Sequence, residues 1–201
     1  MTAVDSRLVA AMSEQLQRRG GGERVGWKLG IGDRERLGGT IAVGHLTSAT
    51  VLAGGSLYSA GGAALHADAE IAVEIGEGGS IERYGAALEL VDLTGSPDDP
   101  YRAVADNVFH RAVVFGAWTE NEPTHVRAAL VVDGDVRRAA DTAPELERLI
   151  DEARGVLEAV GERLETGDRV ITGNIVQVPV EAGERVEASV APLGSAWLQL
   201  R

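Results

Sequence analysis

Apolar residues recur at helical spacing in two stretches of the chain and alternate or run together in many short ones. Over residues 5–19, Leu8, Val9, Met12 and Leu16 fall on one side of a helix with charged residues between them, and Gly20 to Gly22 end it. Leu146, Leu149, Ile150, Ala153, Val156, Leu157, Val160 and Leu164 mark a second amphipathic helix over 143–164. There, Thr142 and Glu145 have capping-box spacing and Pro144 sits in the first turn. A short helix is expected near 100–108. Strands are expected at 25–31, 69–75, 86–92, 112–118, 127–132, 169–173, 175–178, 185–190 and 196–200. Asp133-Gly134, set between Val-Val and Asp-Val, signals a two-residue hairpin. Strands outnumber helices and do not alternate with them. This pattern predicts an α+β fold with a largely antiparallel or mixed sheet, in one domain spanning 1–201, with residues 1–22 as an N-terminal helix and linker.

Three of the strand segments carry charge where burial is expected. In HADAEIAVEIG (66–76), the odd positions Ala67, Ala69, Ile71, Val73 and Ile75 are all apolar, whereas His66, Asp68, Glu70 and Glu74 share the even face. Glu89 interrupts the apolar run AALELVD (86–92), and Lys28 sits among glycines in VGWKLGIG (25–32). Two carboxylates on one strand and a third on a neighbour can surround a hard divalent cation, Mg²⁺ or Mn²⁺, which favours oxygen ligands. Acid-x-acid pairs also arise about five times by chance in a chain with 31 acids among 201 residues. Asp68 and Glu70 therefore also fit a solvated edge-strand face, Glu89 a salt bridge, and Lys28 the charged guard of an edge. Thr172-Gly173-Asn174 fits either a plain turn or a hydroxyl and free N–H groups that hold a carboxylate.

The charge balance narrows the class. A net charge of −12 argues against nucleic acid and anionic membrane surfaces as partners. The absence of cysteine excludes disulfides and thiolate metal sites. No apolar run reaches the length of a membrane span, and the N-terminal residues lack the charged-then-apolar order of a secretory signal. A cytoplasmic location is therefore expected. The four histidines show no zinc-binding spacing, and His45 and His110 read as structural.

These segments, in this order, resemble the fumarylacetoacetate hydrolase superfamily, in particular its 2-keto-4-pentenoate hydratase and 4-oxalocrotonate decarboxylase branch. VGWKLGIG resembles the family's G-x-K-I-G strand, DAEIAVEIG its E-x-E-I-A strand and AALELVD its A-L-E strand. VADNVFHRAVVFG, LETGDRVITG and VEAGERVEASVAPLGS resemble its A-D-N, L-x-x-G-D-x-I-x-T-G and terminal L-G-S segments. The resemblance implies a fumarylacetoacetase-C-terminal-like mixed β-roll or sandwich with peripheral helices, in a homo-oligomer. It implies Mg²⁺ or Mn²⁺ on Asp68, Glu70 and Glu89, Lys28 as a substrate-binding or proton-shuttling residue, and Thr172 with the Gly173 N–H on the carboxylate of a small 2-oxo acid. The implied chemistry is hydration or decarboxylation through an enolate; an acylpyruvate-type hydrolase and a non-catalytic partner subunit are the alternatives. His66 is a base candidate by its parity with the acids. The chain departs from the family pattern at Asp68, where the motif has Glu, at LTGSPDD (93–99), where it has S-R-I, and at Val108-Phe109, where it has a small or hydroxylated residue. No Glu–His dyad of the hydrolytic branch is identifiable.

Overall fold

The computed structural model of the chain describes residues 4–32, 34–95 and 98–201; Ser96 and Pro97 of the divergent LTGSPDD stretch lie outside them. In chain order the elements are α1 (Ser6–Gln17), β1 (Arg24–Gly30), β2 (Ala42–Thr47), β3 (Val51–Leu52), β4 (Leu57–Tyr58), β5 (Leu65–Ile75), β6 (Ile81–Asp92), α2 (Pro100–Ala105), β7 (His110–Thr119), β8 (Val126–Val132), β9 (Asp135–Thr142), α3 (Leu146–Glu158), β10 (Arg169–Ile171), β11 (Val176–Pro179), β12 (Arg185–Ala191) and β13 (Gly194–Leu200). Short 3₁₀ turns occupy Glu35–Leu37, Glu77–Gly79 and Asn107–Phe109.

One sheet runs β2-β1-β10-β5-β6-β7-β3, with β11 also paired to β5; the other runs β4-β13-β12-β8-β9. The pairs β1–β10, β3–β7 and β4–β13 are parallel and the rest antiparallel, so the sheets are mixed. The odd face of β5 explains the layering. Ala67, Ala69, Ile71, Val73 and Ile75 are buried in one core with Val186, Ala188 and Val190 of β12 and Val126, Ala128 and Leu130 of β8. The acid-bearing even face thus looks out of the sandwich, toward the helical cover.

That cover is tied down by polar contacts. Asp5 caps α1 by accepting from the Arg7 N–H. The Gln15 amide, buried, donates to the Val43 and Val104 carbonyls at 3.1 and 2.6 Å and so joins α1 to β2 and α2.

The second helix differs from its expectation. It spans Leu146–Glu158, and Thr142 does not cap it, because Thr142 pairs with Val126 at the end of the β8–β9 hairpin. Its stripe of Leu146, Leu149, Ile150, Ala153, Val156 and Leu157 is buried within the chain. The hairpin itself forms as its sequence predicts, with Asp133 and Gly134 both left-handed (φ 52° and 90°). The sequence pattern gave no range for β2 or for β9, the latter marked only by its Asp133-Gly134 turn, nor for the two-residue β3 and β4. Gly44 and His45 disguise β2, and β9 is a polar, mostly exposed edge strand.

Candidate functional site

Asp68 on β5 pairs directly with Glu89 on β6, and Glu70 lies two positions along. All three are buried, and one carboxylate oxygen from each lies within 4.8 Å of the others. They line a cavity of about 420 Å³ together with Lys28, a volume ordinary for a small-molecule site.

Each carboxylate is held differently. Glu89 Oε1 accepts from Lys28 Nζ at 2.6 Å and from His110 Nδ1 at 2.7 Å, while its Oε2 is buried with no hydrogen-bond partner. Glu70 Oε2 accepts from the Gly173 N–H at 2.8 Å. Asp68 Oδ1 is also buried and unpartnered. Burial, reinforced by the charge of Glu89, pushes the Asp68 carboxyl up to about 7. Burial and the charges of Glu89 and Asp68 raise Glu70 as well. At Glu89 burial pulls upward too, but Lys28 and His110 outweigh it and leave that carboxyl below its usual range.

The Gly173 contact comes from a broken strand. β10 pairs with Glu74 to Ala72 of β5, and β11 pairs with Ala69 to His66. The interruption between them falls opposite Glu70. There Gly173 takes φ 97°, where a Cβ would lie 2.9 Å from Ile31 Cγ1, so only glycine turns the N–H onto the carboxylate. The same interruption places Asn174 on the cavity wall, and Gln177, paired with Asp68, stands beside it.

Lys28 is pinned from two sides. Its Nζ donates to the Val108 carbonyl at 2.8 Å as well as to Glu89. Gly44, opposite it on β2, makes the room, since a Cβ there would lie 2.7 Å from Lys28 Cγ and 2.8 Å from Asn107 Oδ1. The Asn107 amide clamps the β2 backbone, accepting from the His45 N–H at 2.8 Å and donating to the His45 carbonyl at 3.1 Å. Asn107, Val108 and Phe109 then run left-handed at φ 57°, 51° and 65°. That conformation costs L residues about 1–2 kcal/mol each, and a β-branched valine is a clear outlier. The strain is stored where it aims the Val108 carbonyl at Lys28 and sets Phe109 on the cavity wall.

Behind the acids, the buried His110 ring spans Glu89 and the Thr50 hydroxyl, the latter 3.0 Å from Nε2. Burial holds its pKa below the ordinary histidine range. A neutral ring beside a carboxylate, which only accepts, carries its proton on Nδ1.

The structure therefore brings Asp68, Glu70, Glu89 and Lys28 together, as their segments suggested. Thr172 and Gly173 sit next to them, but the Thr172 hydroxyl donates to the Ile71 carbonyl at 3.1 Å and the Gly173 N–H is spent on Glu70. His66 does not line the cavity. It lies two residues, about 7 Å, along β5 from Asp68, and its Nδ1 is buried without a partner. Glu74 shares the face but belongs to a separate cluster with Arg83 and Arg169. Sequence reasoning missed the roles of Asn107, His110, Asn174 and Gln177. Only the family-like A-D-N segment and the Thr172-Gly173-Asn174 turn marked two of these positions.

Three formal negatives against one lysine leave an excess of two, the charge of one divalent cation. Two buried carboxylate oxygens without partners need such an ion or a proton. The donor set, all oxygen, suits Mg²⁺ or Mn²⁺.

Among solved structures, the chain is similar to 4-oxalocrotonate decarboxylase from Pseudomonas putida complexed with magnesium and adipate, at 20% identity and TM-score 0.83, over 96% of this chain and 86% of that one. It is also similar to fumarylpyruvate hydrolase from Pseudomonas aeruginosa in complex with Mn²⁺ and pyruvate (22%, TM-score 0.66, 89% of each chain). A third similar structure is 5-carboxymethyl-2-hydroxymuconate delta-isomerase from Mycobacterium smegmatis (18%, TM-score 0.64, 89% of this chain and 78% of that one). No family model matches the chain, and no curated protein matches it. The likeness is one of fold, and it bears out the mixed sandwich with peripheral helices that the sequence motifs implied. Among the described residues, no helix is long and apolar enough to cross a membrane.

Proposed function

We propose that this protein is a divalent-metal-dependent enzyme of the fumarylacetoacetate hydrolase superfamily, a lyase that decarboxylates or hydrates a small 2-oxo acid through its enolate. The observation that carries this reading is the trio of buried acids lining one cavity with two oxygens unsatisfied. When bound, Mg²⁺ or Mn²⁺ supplies Lewis acidity toward the carboxylate and 2-oxo oxygens of such an acid. Asp68, Glu70 and Glu89 hold the cation. Lys28, fixed between Glu89 and Val108, retains a third N–H for a substrate oxygen and is the chain's own positive charge for the enolate. The side-chain amides of Asn174 and Gln177 hydrogen-bond Asp68 and steady that carboxylate, and the apolar wall formed by α2 and Phe109 faces the substrate.

Decarboxylation is favoured over hydrolysis by the lining itself, because it needs no activated water. Among the described residues, the titratable groups on the cavity wall are the three acids and Lys28. No further acid or histidine stands there to activate a water, which C–C hydrolysis and hydration both need. A scaffold without catalysis has no use for three mutually repelling buried acids.

Turnover of oxaloacetate, 2-hydroxypentadienoate, oxalocrotonate and acylpyruvates, with Mg²⁺ and with EDTA, tests the reading. Carbon dioxide release or hydration is expected in the metal arm and none with EDTA. Silence across the panel, together with no thermal response to Mg²⁺ and oxalate, would sink it.

His110 contributes by orienting Glu89. Outer partners of metal ligands are worth about 10–100-fold in affinity. His110→Leu keeps the apolar bulk but leaves Glu89 Oε1 to Lys28 alone, so Mg²⁺ affinity measured by calorimetry should fall by about that factor. Unchanged affinity would show that the ring is only packing.

A further inference from the structure

The first sheet brings Thr50 behind His110 by curling on itself. β2 and β3 are consecutive in the chain, yet they lie at opposite ends of the order β2-β1-β10-β5-β6-β7-β3. Laid flat, strands in that order would set the two ends about 29 Å apart. The chain from Thr47 to Val51 spans at most about 15 Å, so the sheet must roll until its ends meet. β3 then pairs with β7, and the Thr50 carbonyl accepts from the Val113 N–H at 2.9 Å. This pins Thr50 to the strand that carries His110, with its hydroxyl 3.0 Å from His110 Nε2.

The hydroxyl has one proton and two candidate acceptors, Nε2 and the Thr47 carbonyl at 3.2 Å. That carbonyl already accepts from the Thr50 N–H at 3.0 Å. Nε2 belongs to a fully buried ring, and the hydroxyl is its one hydrogen-bond partner among the described residues. In the neutral ring the proton on Nδ1 goes to Glu89, so Nε2 can only accept. The hydroxyl therefore donates to Nε2, and its oxygen faces the Thr47 N–H at 3.4 Å. Donation runs one way, from the β2–β3 turn through Thr50 and His110 to Glu89. The opposite tautomer would set an Nδ1 lone pair 2.7 Å from a carboxylate oxygen.

Resting on the metal reading above, we infer that Thr50 is a positioning residue for the cation site. Its hydroxyl holds the His110 ring in the Nδ1–H form. The ring and Lys28 then occupy Glu89 Oε1, and Oε2, buried without a partner, is the oxygen left for the cation. Thr50 does not line the cavity and acts only through His110.

The test reads the ring first and the metal second. In the protein labelled with heavy nitrogen at histidine and kept in EDTA at neutral pH, proton–nitrogen correlation spectra show which ring nitrogen carries the proton. The signals missing from His110→Leu assign that ring. Wild type is expected to show a proton on Nδ1 and a bare Nε2. Thr50→Val keeps the side-chain shape but has no donor for Nε2. Its His110 signals should lose the single Nδ1–H pattern, and Mg²⁺ affinity by calorimetry should fall about tenfold, the lower end of what outer partners of metal ligands are worth. Thr50→Ser returns the hydroxyl and should restore both. A proton on Nε2 in wild type overturns this inference whatever the variants do. So does a Thr50→Val protein that keeps the wild-type spectrum or the wild-type affinity, or a Thr50→Ser protein that behaves like Thr50→Val. No Mg²⁺ binding by wild type, with the proton found on Nδ1, overturns the metal reading and with it the service of Thr50 to a cation.

Discussion

Replacing Glu70 by Gln is expected to abolish the stabilisation of the protein by Mg²⁺ with oxalate or pyruvate, and to remove turnover. In wild type, a ligand at about 100 times its Kd contributes about 2.7 kcal/mol, a rise in Tm of about 5–10 °C for a chain of this size. Glu70→Gln keeps the shape and an oxygen for the Gly173 N–H, now 2.8 Å from the carboxylate, so the backbone break between β10 and β11 should survive. What is lost is one of three anionic ligands. Since outer-shell partners alone are worth about 10–100-fold, metal affinity should fall by more than about 100-fold. Glu70→Ala should do the same and also strand the Gly173 N–H, a further cost of about 1–3 kcal/mol. Thermal melts with and without Mg²⁺ read the result. A Gln variant that still shifts as far as wild type would mean the cation, if any, sits elsewhere.

The second large effect concerns the protein without metal, in which Asp68→Asn is expected to be more stable than wild type at neutral pH. The Asp68 carboxyl titrates at about 7 in the fold against 3.8 when free, first because it is buried and then because Glu89 is charged. Below pH 3.8 both states hold the proton and the residue makes no difference. As pH rises from 3.8 to 7, the unfolded chain releases its proton while the folded chain keeps it, so folded stability falls. At about 1.36 kcal/mol per pKa unit, the loss reaches about 4 kcal/mol by pH 8. Urea denaturation in EDTA should therefore show Asp68→Asn ahead of wild type at pH 8, with the gap shrinking by about 2–3 kcal/mol at pH 5. Adding Mg²⁺ should reverse the order, because the wild-type acid then has its counter-charge. A gap that does not depend on pH would place the effect in packing instead.

The legible part of this site was its first layer. In β5, parity alone put Asp68 and Glu70 on one face and the apolar residues on the other, because a strand alternates whatever surrounds it. Glu89 and Lys28 stood out as charges in segments otherwise suited to burial. The second layer was not legible, because it depends on pairings between distant segments. His110 meets Glu89 across β6 and β7 where the register shifts between Leu90 and Val91. The Val108 carbonyl reaches Lys28 only after three residues turn left-handed, a conformation no propensity favours for valine. The family resemblance implies Thr172 and the Gly173 N–H on a substrate carboxylate; in the fold the hydroxyl donates to the Ile71 carbonyl and the N–H to Glu70. Thr142 lost its capping role to the β8–β9 ladder for the same reason.

By itself the sequence determined the local periods: where most strands and helices lie, which face of each is apolar, and that acids share a face with no cation beside them in the chain. Tertiary structure alone decided which hydrogen-bonding groups were already used, where the β10–β11 break fell against Glu70, and which distant residues share the cavity wall. Alternation and helical spacing are set by backbone geometry within a few residues. The partner of a buried polar atom is chosen by segments 20 to more than 100 positions away, such as Glu89 with His110 and Glu70 with Gly173, and nothing local records that choice.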